Sequence, residues 1–212
     1  LFVALTAAAG ALGGCAAPAP EGIDDPYEVE NRSTHAFNLA LDSKILRPAA
    51  TATHAGNGPL GRGIANFADN LDAPGDVVNS LLQFRIGKAT ENTLRFAINT
   101  VIGVGGIFDP ATAMGVPGKK TDFGETLHVW GVGEGSYLEV PFVGPSTQRD
   151  ALGDVVDFVI DPLNYILPAP ESYFGTAAKL AAKVGDRGRY SATVDSILYE
   201  SADSYAQARL LY

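Results

Sequence analysis

Along most of the chain apolar residues recur every three or four positions, the period of a helix with one greasy face, and proline, glycine and aspartate punctuate the runs. The first start signal is Asp25-Pro26-Tyr27-Glu28: the aspartate suits a cap, the proline the first helical position, and Glu28 completes a capping box. Phe37, Leu41 and Ile45 then share a face, and Arg47-Pro48 predicts an end near Leu46. Residues 53 to 63, THAGNGPLGRG, read as loop. Asp72-Ala73-Pro74 predicts a second start, followed by Val77, Val78, Leu81, Leu82 and Ile86 at helical spacing, and a third helix is expected from near Thr90. From Asp109 to Gly135 the text is glycine-rich and irregular, and Tyr137 to Phe142 is the one strand the pattern predicts, limited by Pro141. Ser146 is expected to cap a helix that carries Ala151, Leu152, Val155, Phe158 and Val159 on one face and stops at Asp161-Pro162. Two more helices, near 172 to 184 and 188 to 210, are expected on either side of Gly185 and Gly188, the last with Tyr190, Val194, Ile197, Leu198 and Tyr205 as its stripe. The predicted fold class is all-α, with long Gly/Pro loops and almost no sheet.

One segment breaks the alternation of greasy and polar faces. Residues 94 to 109, LRFAINTVIGVGGIFD, are apolar on nearly every side as far as Phe108, with Arg95 the single charge before Asp109, and are interrupted by Gly103, Gly105 and Gly106. The apolar run rises only ~22 Å as a helix, against a hydrocarbon core of about 30 Å, so it is too short to span a bilayer. A phosphate-cradling loop is a poor match, because no strand precedes the glycines and no clear helix start follows. Two readings stay open on the residues alone: the core helix of a water-soluble domain, or a helix that enters one leaflet and turns back at the glycines.

Composition tilts the balance toward contact with something apolar. Charged residues make up 18% of the 212-residue chain, below the ~25% usual for soluble domains, and mean hydropathy is slightly positive at +0.09. A formal net charge of -9 excludes broad nucleic-acid binding, which needs a surplus of Lys and Arg facing phosphate. At the N-terminus LFVALTAAAGALGGC is uncharged up to the only cysteine, and residues 1 to 14 read as the h-region of a secretory signal peptide shorn of its start. Leu12-Gly13-Gly14-Cys15 resembles the bacterial lipobox, which makes Cys15 the expected lipidation site, and with a single cysteine no intrachain disulfide forms. Residues 15 to 24 are then a lipidated tether, Pro-rich over AAPAPEG, and 25 to 212 the helical domain. Ala16, where an Asp would signal retention at the inner membrane, points onward to the outer membrane by resemblance to bacterial lipoproteins.

Catalytic chemistry finds little support. His35, His54 and His128 lie far apart, with no zinc spacing among them. Asp154, Asp157 and Asp161 repeat at i, i+3, i+7 and read as a solvated helix face rather than an acid/base pair. Asp122-Phe123-Gly124 imitates a kinase metal-binding tripeptide without the motifs that surround it there, and no G-x-S-x-G elbow frames Ser136 or Ser146. No enzyme, metal or cofactor is expected beyond a covalent diacylglycerol and acyl chain on Cys15.

Several long segments in order resemble the MlaA/VacJ family, outer-membrane lipoproteins of Gram-negative bacteria. They are DPYEVENRSTHAFNLALDSKILRPAA at 25 to 50, NFADNLDAPGDVVNSLLQ at 66 to 83, LRFAINTVIGVGGIFDPA at 94 to 111 and DFGETLHVWGVGEGSYLEVPFVGPSTQRDALGDVVD at 122 to 157, with a weaker echo in VDSILYESADSYAQAR at 194 to 209. The resemblance implies a ring of amphipathic helices embedded in the inner leaflet of the outer membrane, with a helical hairpin at a central polar pore. Phospholipids mislocalised to the outer leaflet leave through it passively, pass to the periplasmic carrier MlaC, and so keep the membrane asymmetric; trimeric porins are the expected neighbours. It also makes Gly103, Gly105 and Gly106 the bend of that hairpin. Arg95 and Asn99, one turn apart on an apolar helix, become candidates for the phospholipid path, with Arg47 and Arg85 as weaker ones. A structural porin-associated lipoprotein is the alternative, and a lipid hydrolase a more distant one. The chain departs from the family pattern in ending at Tyr212 and in carrying Glu30 where an aromatic residue is expected.

Overall fold

The computed structural model describes residues 23–53, 58–163 and 171–212, so the signal segment, Cys15 and most of the tether lie outside the described residues. Helix α1, Glu28–Leu41, starts without the expected cap: Tyr27 occupies the capping position and makes no side-chain capping bond. Asp25 is used elsewhere, accepting from Asn31 at 2.8 Å, from Arg209 at 2.6 Å and from the Tyr205 hydroxyl, so it ties the chain entry to the C-terminal helix. Nor does the chain leave the helix at Arg47-Pro48. A π turn, Asp42–Leu46, carries it directly into α2, Arg47–Thr53. There the Arg47 N–H reaches back to the Asp42 carbonyl, and Pro48, which has no N–H to give, sits at the start of the renewed helix where it does least harm.

Helix α3, Pro59–Leu82, begins inside the predicted loop and passes straight through the predicted start at Asp72, with Pro74 in its interior. Helix α4, Ile86–Val101, follows after a three-residue turn, four residues before the predicted start. Packing overrides the local break signal, since α3 is flanked by α4 on one side and by α8, Glu171–Arg189, on the other. The Gly103–Gly106 cluster does end α4. Beyond it the stretch expected to be irregular holds two short helices, α5 at Pro110–Ala113 and α6 at Phe123–Val129, capped by Asp109 and Asp122. The kinase-like tripeptide is thus a helix start.

The predicted strand has a partner: β1, Tyr137–Val140, pairs antiparallel with β2, Gly144–Thr147, with Val140 opposite Gly144. Thr147, not Ser146, caps α7, Gln148–Ile160, by accepting from the Asp150 N–H. Gly185 and Gly188 do not separate two helices; α8 runs through both to Arg189. The break falls at Tyr190, followed by α9, Ser191–Asp195, a second π turn at Ser196–Glu200, and α10, Ser204–Leu211, capped by Asp203.

The two π turns face one another across a buried charge network. Arg187 of α8 donates to both oxygens of Asp42 at 2.7 and 3.0 Å and to Asp195 at 2.5 Å, Tyr199 donates to Asp42 at 2.8 Å, and Arg47 pairs with Asp195 at 2.9 Å. A second polar clamp joins α1, β1 and α10: His35 lies 3.2 Å from Glu139 and 3.0 Å from the Ser204 hydroxyl, and Tyr137 donates to Glu139 at 2.7 Å.

Packing closes the elements into a circuit. α1 lies on β1, β1 on α7, α7 on α6, α6 on α3, α3 on α8, and α8 on α2, which the first π turn returns to α1. Burial within this circuit is inverted relative to a water-soluble domain. Among the described residues the largest fully buried side chains are Asn79, Asn92, Thr126 and Ser80, and the buried apolar ones are mostly alanines. Val101, Ile102, Val104 and Phe108 of the apolar stretch are 61–80% exposed, and so is the α7 face of Leu152, Val155, Phe158 and Val159 at 47–74%. The three non-glycine residues with positive φ among those described, Phe84, Val104 and Phe142, are all apolar and all held outward at turns. The apolar stretch is therefore not the inside of a core. No described helix is long and apolar enough to cross a membrane.

Candidate functional site

The glycine bend is built by close approach of backbone to side chain. At Gly106, whose φ is +97°, a Cβ would lie 2.4 Å from the Asn70 side chain, and at Gly103 it would lie 2.4 Å from the Phe108 carbonyl; only glycine fits. Gly105 has φ +70° but open space around it, so it supplies conformation alone. Asn70 and Asn66 of α3 hold the bend from below, Asn70 donating to the Gly105 carbonyl at 3.3 Å and Asn66 to the Ile107 carbonyl at 3.2 Å.

Arg95 and Asn99 do share one side of α4, and the structure brings both to the same partner. Arg95 donates to Asp109 at 2.7 Å, to Thr112 at 2.8 Å and to the Val116 carbonyl at 3.1 Å, and Asn99 donates to Asp109 at 3.1 Å while accepting from the Ala111 N–H. Burial works against the Asp109 charge, but the hydrogen bonds from Thr112 and Arg95 outweigh it and hold the carboxyl down at about 2. The pair thus fastens the segment after the bend onto α4. Arg47 and Arg85 lie elsewhere. Arg47 joins the π-turn network and stacks 4.7 Å over Tyr199, and Arg85 pairs with Glu125 of α6 near the α3–α4 turn. The four basic and amide candidates therefore form no single constellation.

The charges that do meet belong to helices on opposite sides of the circuit. α7 and α8 do not pack side by side, yet Lys179 of α8 reaches Asp161 at the end of α7 at 3.9 Å and Asp72 of α3 at 2.6 Å. One turn on, Lys183 donates at 2.9 Å to the Phe142 carbonyl at the β1–β2 turn. Asp154 of α7 has no hydrogen bond or ion pair among the described residues; partial desolvation together with Asp122, Asp157 and Asp150 raises its pKa, with Lys183 the cation opposing them. Lys179 thus ties α8 to α3 and to the residue that ends α7, and Lys183 ties it to the β1–β2 turn. Asp157 departs from the expected solvated face: it accepts from Asn79 at 2.6 Å and from the Phe123 N–H at 2.8 Å and so joins α3, α6 and α7. Sequence reasoning missed Lys179 and Lys183, although their i, i+4 spacing in the alanine-rich AAKLAAKVG carries the same signal as Arg95 and Asn99.

On the α3 wall Asp76 accepts from the Thr121 N–H at 2.9 Å. Burial, reinforced by Asp72 and Asp69 and opposed by Thr121 and Lys120, pushes its carboxyl up to about 6. A raised carboxyl pKa means the fold binds the proton more tightly than the unfolded chain, so this group costs stability progressively as pH rises from about 4 to about 6 and fully above that. Asp76→Asn keeps an acceptor for Thr121 and removes the charge. Unfolding in urea should show a gain of about 1–2 kcal/mol at neutral pH and none near pH 4; equal gains at both would refute the assignment.

The family model described as MlaA lipoprotein matches residues 23–212. The Escherichia coli K12 protein named intermembrane phospholipid transport system lipoprotein MlaA is 32% identical over 208 residues, spanning 95% of this chain and 81% of that one. A Rickettsia felis protein described only as uncharacterized is 35% identical over 187 residues, 87% of this chain and 73% of its own. A structure solved in work on the structural basis for maintenance of bacterial outer membrane lipid asymmetry superimposes with a TM-score of 0.72 at 30% identity, covering 89% of this chain and 94% of that chain.

Proposed function

The chain belongs to the MlaA lipoprotein family, and from that premise we propose that it is an outer-membrane phospholipid transport protein. In this reading it draws mislocalised phospholipid out of the outer leaflet and hands it to a periplasmic carrier of the MlaC type. The observation that carries the proposal is the inverted burial: apolar side chains outside, and asparagine, serine and threonine inside a closed circuit of helices. A lipid needs apolar walls for its tails and a polar route for its headgroup, and a circuit with apolar residues outside and polar residues inside matches that demand. The exposed apolar faces of α4 and α7 would lie among acyl chains of one leaflet, with Cys15, acylated, as the second anchor; two membrane signals hold where one is marginal. Trimeric porins fit as neighbours that keep the ring at its depth. No ATP-binding motif occurs in the sequence, so movement would follow the lipid's own gradient.

The test is an outer-leaflet phospholipid assay in a deletion strain carrying wild type or Cys15→Ala. Phospholipid should accumulate in the outer leaflet on deletion, return to the wild-type level with the intact gene, and remain several-fold elevated with Cys15→Ala. An unchanged outer leaflet on deletion refutes the proposal. Release of fatty acid by the purified protein, abolished by Ser204→Ala, would overturn it in favour of hydrolysis, because Ser204, His35 and Glu139 align as nucleophile, base and orienting acid would.

A further inference from the structure

The turn between α3 and α4 holds a phenylalanine outward in a strained conformation. Phe84 is 86% exposed, the most exposed large apolar side chain among the described residues, and its φ is +58°, in the left-handed region that a non-glycine residue enters at a cost. Its neighbours fix it there. The buried Gln83 side chain donates to Thr121 and Thr126 at 2.7 and 2.9 Å, the Phe84 N–H donates to the Leu81 carbonyl at 2.9 Å, and the Arg85 N–H donates to the Ser80 carbonyl at 2.9 Å. Trp130, directly after α6, lies against the same turn. Its indole N–H donates to the Leu82 carbonyl at 3.1 Å and its ring meets Phe123 edge to face at 5.7 Å, which leaves half of the residue exposed. Arg85 and Lys88 flank the start of α4 and share one carboxylate, Glu125, with Lys88 at 3.5 Å from it. Their side chains are 40% and 33% exposed, so two cations face one carboxylate at this turn of a chain whose net charge is -9.

We propose that this turn is an interfacial anchor seated in the headgroup layer of a phospholipid leaflet, with Phe84 inserted beneath the glycerol level, Trp130 beside it at the boundary, and Arg85 and Lys88 at the phosphates. The inference rests on the leaflet placement in the reading above and adds the level at which the ring leaves the acyl chains. In water both the strain and the exposed ring of Phe84 are unfavourable; among acyl carbons, burial of the ring offsets the strain. Tryptophan is enriched at lipid–water boundaries, and here its N–H is already bonded to Leu82, so no bare donor enters the apolar layer. The long stems of arginine and lysine can lie along that layer while their charged heads reach phosphate. The exposed face of α7 lacks these features: its helix has no tryptophan, and its one cation, Arg149, is 11% exposed at its side chain. That face suits the acyl chains, whereas the α3–α4 turn suits their edge.

Trp130 is the only tryptophan, so its fluorescence reports its own depth. The full-length lipidated protein is reconstituted into vesicles of phosphatidylethanolamine and phosphatidylglycerol that contain a brominated phospholipid, the bromine placed either near the glycerol or near the end of the acyl chain. Quenching of Trp130 should be several-fold stronger with the shallow bromine than with the deep one. Phe84→Gly removes the inserted ring and suits the positive φ, so it should unfold in detergent at no lower urea concentration than wild type and yet lose about half of the shallow quenching. Phe84→Leu, which keeps an apolar tip, should stay near wild type. Arg85→Gln with Lys88→Gln should also lower the shallow quenching. No quenching of Trp130, stronger quenching by the deep bromine, or the same quenching in wild type and in either the glycine or the double glutamine variant overturns the proposal. Val101→Trp combined with Trp130→Phe separates it from the reading it rests on. Quenching at position 101 without quenching at 130 sinks the anchor and leaves the ring in its leaflet; quenching at neither position sinks both.

Discussion

Arg187→Met is expected to lower stability by about 3–5 kcal/mol, the range for removing one partner of a buried ion pair. Arg187 and Asp42 are 6% and 7% exposed at their side chains, so the substitution leaves a buried charge without its cation. Asp42 would keep only the Tyr199 hydroxyl, and Asp195 only the half-exposed Arg47. Since the network joins the two π turns to α8, its loss should loosen the circuit where its N-terminal and C-terminal parts meet. Chemical denaturation of the detergent-purified protein measures the cost, and Arg187→Met with Asp42→Leu should recover part of it by removing the stranded charge. A loss below about 1 kcal/mol in the single variant would show that the network is solvated and weak.

The glycine bend gives the second large effect. Gly106→Ala combines a left-handed backbone with a Cβ driven to within 2.4 Å of Asn70, so a cost of about 3 kcal/mol or a displaced bend is expected. Gly105→Ala has the positive φ and no clash, and should cost about 1 kcal/mol. In cells, Gly106→Ala should raise outer-leaflet phospholipid toward the deletion level while Gly105→Ala stays near wild type. Equal behaviour of the two would mean that contact with α3 does not set the bend.

Gly103, Gly105 and Gly106 were legible as the end of a helix because three glycines in four residues disfavour its continuation, and as a hairpin bend through the family resemblance. What each glycine does was not, because the need for glycine at position 106 comes from Asn70, 36 positions earlier on another helix. Arg95 and Asn99 were legible as neighbours by their spacing, while their common partner Asp109 depends on how the chain returns after the bend. Ser146 and Thr147 show the limit of local capping rules: either suits a cap, and the β1–β2 register chose Thr147.

The sequence by itself determined the helical class, the amphipathic period, the excess of apolar surface and the resemblance to one lipoprotein family, because these depend on residue type and spacing along a continuous segment. Tertiary structure alone decided that Pro48 and Pro74 would be carried within helices, that Asp25 would serve the C-terminal helix instead of its own, and that Lys179 would pair with Asp72 and Asp161. Those outcomes follow from which elements pack together, and a local signal worth about 1 kcal/mol gives way when burial and charge pairing between distant segments offer more.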